Sequence, residues 1–140
     1  MLHLVQRQEL IGKALLSTQA KIYLADHGIR EALYGSNQRD INQILENVVY
    51  MELLRRGYEV HIGKSRQNEV DFCANKGGDF VYIQVCYLLA SDETMEREFS
   101  VLETIPDNYP KFVLSMDQID RSRNGILHIN ICDFLLKDFV

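Results

Sequence analysis

Proline is scarce in this chain: two in 140 residues, Pro106 and Pro110, both close to Tyr109. No internal repeat or low-complexity segment breaks the sequence either, and with 46% hydrophobic composition it fits one compact domain of ordinary size. Long apolar runs are also missing. Ile126-Leu127 with Ile129, and Phe134-Leu135-Leu136, fall far short of the roughly 20 residues that cross a bilayer. Met1-Leu2-His3 opens no basic-then-apolar leader. A soluble, cytoplasmic protein with no membrane partner is expected.

Cysteine is too sparse for a disulfide framework. There are 3, an odd number, with no C-x-x-C pair for zinc or redox chemistry, so reduced thiols are expected. Positive charge is in short supply as well: the net charge of −5 opposes unspecific attraction to a polyanion. Nucleic acid as a partner therefore gets no support from net charge. Arg55-Arg56, Lys64 and Arg66 could gather into a local basic patch near one end of a sheet, although two arginines at a helix end also complement the helix dipole.

What is present is a readable order of elements. Leu4 to Leu16 alternates loosely and Lys21-Ile22-Tyr23-Leu24-Ala25 is a short apolar run, together predicting a strand pair or ragged hairpin. Asp26 can cap a short helix from Ile29 to Tyr34 that stops at Gly35. Asp40 to Arg56 predicts a long helix: Ile41, Ile44, Leu45, Val48 and Met51 recur at helical spacing, Asp40 is a suitable N-cap, and Gly57 stands at the left-handed C′ position. Glu46 lies at the edge of that stripe. Three strands follow, Tyr58 to Ile62, Glu69 to Ala74 and Phe80 to Leu88, then a helix from Thr94 to Ile105 capped by Ser91 or Asp92. Lys111 to Met116 and Ile126 to Ile131 read as buried strands around a polar loop, and Cys132 to Phe139 as a last helix. This order predicts an α/β fold: a mixed sheet flanked by helices.

The second and third strands form a hairpin whose register can be worked out. With Gly77-Gly78 central to a tight turn, Lys76 faces Asp79, Asp71 faces Gln84 and Glu69 faces Cys86. Alternation then gives Glu69, Asp71, Cys73, Tyr82, Gln84 and Cys86 one polar face, and Val70, Phe72, Ile83 and Val85 an apolar one. Cys73 and Cys86 come out roughly 13 Å apart, too far to bridge. A polar face is ordinary if the hairpin looks onto solvent. Alternatively, Asp71, its partner across the strand and Glu46 converge on a divalent cation. His27 is expected in a turn, His61 and His128 in strands, and Tyr50 and Tyr58 in packing around the long helix; none has partners at metal-ligand spacing.

A helix bearing Glu46, a strand bearing Asp71 and a strand bearing Gln84-Val85-Cys86 resemble the PD-(D/E)XK nuclease superfamily, with its restriction-endonuclease-like fold. More closely, Tyr23-Leu24-Ala25-Asp26-His27-Gly28-Ile29-Arg30, the segment from Ile44 to Val60, Glu69-Val70-Asp71-Phe72, Asp107-Asn108-Tyr109-Pro110-Lys111 and Ser115-Met116-Asp117 resemble the domain of unknown function at the C-terminus of many prokaryotic AAA-type ATPases. The resemblance implies that residues 21–140 are the nuclease-like domain and residues 1–20 the tail of a preceding linker or winged-helix-like segment. It also implies an ATPase module as partner, in the same or a longer chain. No G-x-x-x-x-G-K-[ST] occurs here, so this chain does not hydrolyse ATP by that route.

In active members of that superfamily two acidic residues and a carbonyl hold Mg²⁺ while a lysine serves the attacking water. By resemblance Asp71 and Val85 would supply a carboxylate and the carbonyl. Gln84 offers only a neutral amide oxygen, and Cys86 is never cationic, so it cannot replace lysine. Glu69 could replace the carboxylate, and Lys64 or Lys76 the lysine. The expectation is a vestigial site at Glu46, Asp71, Gln84 and Cys86, no required cofactor, and a role in binding or regulation of a nucleic acid or partner protein. The alternatives are a Mg-dependent DNA or RNA phosphodiesterase using Asp71 with a migrated lysine, and a purely structural or oligomerisation domain, in which Asp71 and Gln84 are an ordinary cross-strand pair.

Overall fold

The computed structural model describes residues 2–24 and 41–138. The expected helix at Ile29 to Tyr34, the N-cap at Asp40 and the turn at His27 lie outside them.

Seven strands form one mixed sheet in the order β2-β1-β3-β4-β5-β6-β7. β1 (Leu2–Glu9) and β2 (Leu15–Leu24) are the expected hairpin, and β1 runs parallel to β3. β3 (Glu59–Ser65), β4 (Asn68–Lys76) and β5 (Asp79–Val85) are antiparallel neighbours, while β6 (Lys111–Ser115) and β7 (Leu127–Asn130) add in parallel. The boundary expected after residue 20 falls inside β2. Residues 2–9 pair directly with β3, so the opening segment belongs to the sheet.

Helix α1 (Ile41–Arg55) buries Leu45, Val49 and Leu53 against one face, and Gly57 ends it at φ +89. The centre of its buried stripe is these i, i+4, i+8 residues, with Ile41, Met51 and Leu54 on the partly buried flank. Asn47, also buried, accepts the Leu24 N–H at 2.8 Å and donates back to the Leu24 carbonyl, fastening the end of β2 to α1. On the same face lies α3 (Ile131–Leu136), which Asn130 caps one residue earlier than the expected start at Cys132. The opposite face is covered by α2 (Asp92–Glu103), capped by Ser91 and packed through Phe99 and Leu102.

The hairpin register is as the Gly77-Gly78 turn predicts: Lys76 pairs with Asp79 and Phe72 with Ile83. The polar face does not look onto solvent, because helices cover both sides of the hairpin. Cys73 and Tyr82 are fully buried beneath α2, and Phe72 and Ile83 beneath α1 and α3. Val70 also changes sides. Between the pairs His61↔Cys73 and Gly63↔Val70, β3 advances by Ile62 alone while β4 advances by Asp71 and Phe72. That extra residue is a β-bulge, which reverses the alternation beyond it and puts Val70 with Cys73.

Candidate functional site

The bulge lies where the two strands of the hairpin separate. β4 keeps pairing with β3 as far as Asn68, β5 keeps pairing with β6 as far as Val85, but the ladder between them stops at Phe72↔Ile83. The next rung is made by side chains. The Asp71 N–H donates to Gln84 Oε1 at 2.9 Å, and the Val85 N–H donates to Asp71 Oδ2 at 2.8 Å. Side chains have taken over both bonds that the parted main chains no longer make to each other.

This split opens a cleft of about 390 Å³ whose lining includes Asn42 and Glu46 from α1, Asp71, Gln84 and Cys86 from the sheet, and Glu98 from α2. The four residues anticipated for the site are thus brought together. Burial, followed by the neighbouring Glu46 charge, raises the Asp71 carboxyl well above its ordinary value despite the Val85 N–H. Burial also raises Glu46, against the opposing influence of Lys21 and of a 3.2 Å hydrogen bond from the Tyr23 hydroxyl to Oε2. Burial pushes the Cys86 thiol up to about 12, with Glu98 adding to the effect, so at neutral pH it is an uncharged thiol. All three cysteines are free.

Three residues of the site were not anticipated. Lys21, from β2, stands 4.0 Å from Glu46 and 3.2 Å from Glu69. Tyr23, two residues on, is fully buried, stacks on Tyr50 at 4.6 Å and reaches Glu46. Glu98 is only 8% exposed, and a 3.3 Å contact from Arg97 is its one ion pair among the described residues. A carboxylate beside Phe99, on the face α2 buries, was the available signal for Glu98. Lys21 and Tyr23 carried none, since nothing local ties β2 to α1.

Other expectations are corrected. Glu69 does not face Cys86: it pairs with Lys64 on β3, and its carboxylate is held by Arg7 at 2.9 Å and by Lys21. Lys76 donates to the Arg56 carbonyl at 2.8 Å, and Lys64 lines a different cleft beside Ser65 and Arg66, so neither stands in for the missing lysine. The basic patch does not assemble. Arg55 and Arg56 precede β3 while Lys64 and Arg66 lie at its far end, and Arg56 is engaged by Glu52 and by the Phe134 and Lys137 carbonyls. His61 and His128 are in strands, and Tyr50, a buried residue of α1 itself, packs with Tyr58 in the core on that face.

Several of the oxygens that could meet a divalent cation already have partners. Asp71 Oδ2 and Gln84 Oε1 are taken by main-chain N–H groups, Val85 enters the site through its N–H, and Glu46 Oε2 is shared by Tyr23 and Lys21. Among the described residues no group of three or more His, Cys, Asp or Glu is placed to hold a metal ion.

No protein-family model matches this chain, and no solved structure matches it. It is similar to an uncharacterized protein of Haemophilus influenzae, 34% identical over 133 residues that make up 94% of this chain and 32% of that protein. The chain therefore spans about a third of the relative's length. Among the described residues no helix is long and apolar enough to cross a membrane.

Proposed function

We propose that this chain is a nuclease-like domain that binds or regulates rather than cleaves, working beside an ATPase module in a longer protein. The observation that carries the reading is the reciprocal pair of bonds in which the Asp71 N–H donates to Gln84 Oε1 and the Val85 N–H donates to Asp71 Oδ2. In a working metal nuclease of the kind the sequence resembles, those oxygens would face a cation. Here they complete the sheet, and Cys86 brings no positive charge to the attacking water's position. The length of the Haemophilus influenzae relative, three times the matched region, is consistent with a module beside further domains. Among the described residues Lys21 is the lysine that reaches Glu46, and a second ion pair commits it to Glu69 as well.

Calorimetric titration with Mg²⁺ and Mn²⁺ tests the reading. Wild-type protein is expected to give no saturable heat below millimolar concentration, whereas a tight isotherm that disappears in Asp71→Ala would restore the phosphodiesterase alternative.

A further inference from the structure

The cleft holds more acidic than basic side chains, and two of its polar groups make no hydrogen bond to the described residues. Gln84 is 9% exposed and lines the cleft; its Oε1 accepts the Asp71 N–H, which fixes the carboxamide so that Nε2 is the free end. No partner for that Nε2 exists among the described residues, nor for the thiol of Cys86, which is 6% exposed and lies in the same wall. Around them stand Glu46, Asp71 and Glu98, with Arg97 also in the lining, 3.3 Å from Glu98 and itself largely exposed. Carboxylates call for a cation that donates hydrogen bonds, and the Gln84 amide calls for an acceptor oxygen on the same ligand.

We propose that the cleft captures the amino-terminal residue of a peptide, its ammonium against Glu98 and Glu46 and its first carbonyl oxygen accepting from Gln84 Nε2. A lysine side chain satisfies only half of this pattern, since no acceptor lies beside its ammonium. A phosphate or carboxylate ligand meets Glu46 and Glu98, which the largely exposed Arg97 offsets only in part, so it is the poorer match on charge. An α-amino group titrates near 7.7–8.0 in model peptides and is largely cationic at neutral pH, and about 390 Å³ suits a group of one or two residues. Capture of a chain terminus is a known recognition mode. The proposal rests on the binding role inferred above and names the partner chemistry for that same cleft.

The test follows the Gln84 side-chain NH₂ signals of ¹⁵N-labelled wild-type protein by NMR. The probes are alaninamide, N-acetylalaninamide, ethylamine and sodium acetate. Alaninamide is expected to shift those signals saturably, with a dissociation constant on the order of millimolar. N-acetylalaninamide and ethylamine should each bind at least about tenfold more weakly, because each lacks one half of the pattern, and acetate should not bind. Glu98→Gln should weaken alaninamide by a similar factor, and the wild-type probe series decides the matter even where that variant folds poorly. No shift with alaninamide, equal binding of the acetylated or carbonyl-free probe, or preference for acetate overturns the proposal. Asp71-dependent DNA cleavage would instead sink the non-catalytic reading, so the two failures are separable.

Discussion

Asp71 and Gln84 face each other across β4 and β5 and are joined by a main-chain-to-side-chain bond, the Asp71 N–H donating to Gln84 Oε1 at 2.9 Å. Together with the bond from the Val85 N–H to Asp71, it closes the sheet at the point where two strands separate. The residues that mark the site also hold the fold together there, and several consequences can be measured.

Asp71→Asn should make the protein more stable at alkaline pH. The carboxyl's folded pKa is raised, so the folded state keeps a proton that the unfolded chain releases above about pH 4. Stability contributed by this group is therefore present at low pH and lost as pH rises toward the folded value. An amide oxygen can still accept the Val85 N–H without a charge beside Glu46. Urea unfolding should show a gain of roughly 1 kcal/mol or more at pH 8, shrinking toward pH 5. Equal effects at both pH values would contradict the cause assigned.

Gln84→Glu should act in the opposite direction. A glutamate oxygen can accept the Asp71 N–H, but a further carboxylate then joins Asp71, Glu46 and Glu98 in a buried place. A cost of about 1–3 kcal/mol at pH 8, relieved on acidification, is expected in the same unfolding experiment.

The hairpin register was legible in the sequence because Gly77-Gly78 fixes it locally, and Lys76↔Asp79 through Phe72↔Ile83 follow from it. The bulge at Asp71-Phe72 was not, since it arises from pairing with β3, a relationship no pattern within β4 encodes. For that reason Val70 was assigned to the wrong face and Glu69 to the wrong partner. Alternation also misled about exposure: Cys73, Tyr82 and Cys86 look polar beside Ile83 and Val85, but α2 covers them, and Gln84 is buried in the cleft wall. Glu46, Asp71, Gln84 and Cys86 could be found as a group because the resemblance links them across the fold. Lys21 and Glu98 come from a distant strand and helix and entered only with the tertiary structure.

Gly63→Ala tests the packing on the far side of the bulge. An added Cβ would lie 2.7 Å from Leu10 Cδ2 and 3.2 Å from Val70 Cβ. Leu10 can swing aside, but Val70 is fully buried on a bulged strand. Destabilisation of about 1–3 kcal/mol is expected, and Leu10→Ala in the same chain should recover part of the clash term.

Thiol chemistry should divide the cysteines. Burial raises Cys73 to about 11 and Cys86 to about 12, while Cys132 is exposed. An aromatic disulfide reagent at pH 8 should modify Cys132 alone in folded protein and all 3 cysteines in guanidinium. Rapid reaction of Cys86 in native conditions would show that the cleft opens far more than the structure allows.

The central claim is that the Asp71 cleft belongs to a nuclease-like domain without nuclease chemistry. Incubation of wild-type protein and Asp71→Ala with single- and double-stranded DNA in Mg²⁺ and in Mn²⁺ tests it most directly. The account predicts no cleavage by either protein; cleavage by the wild type that Asp71→Ala abolishes would contradict it.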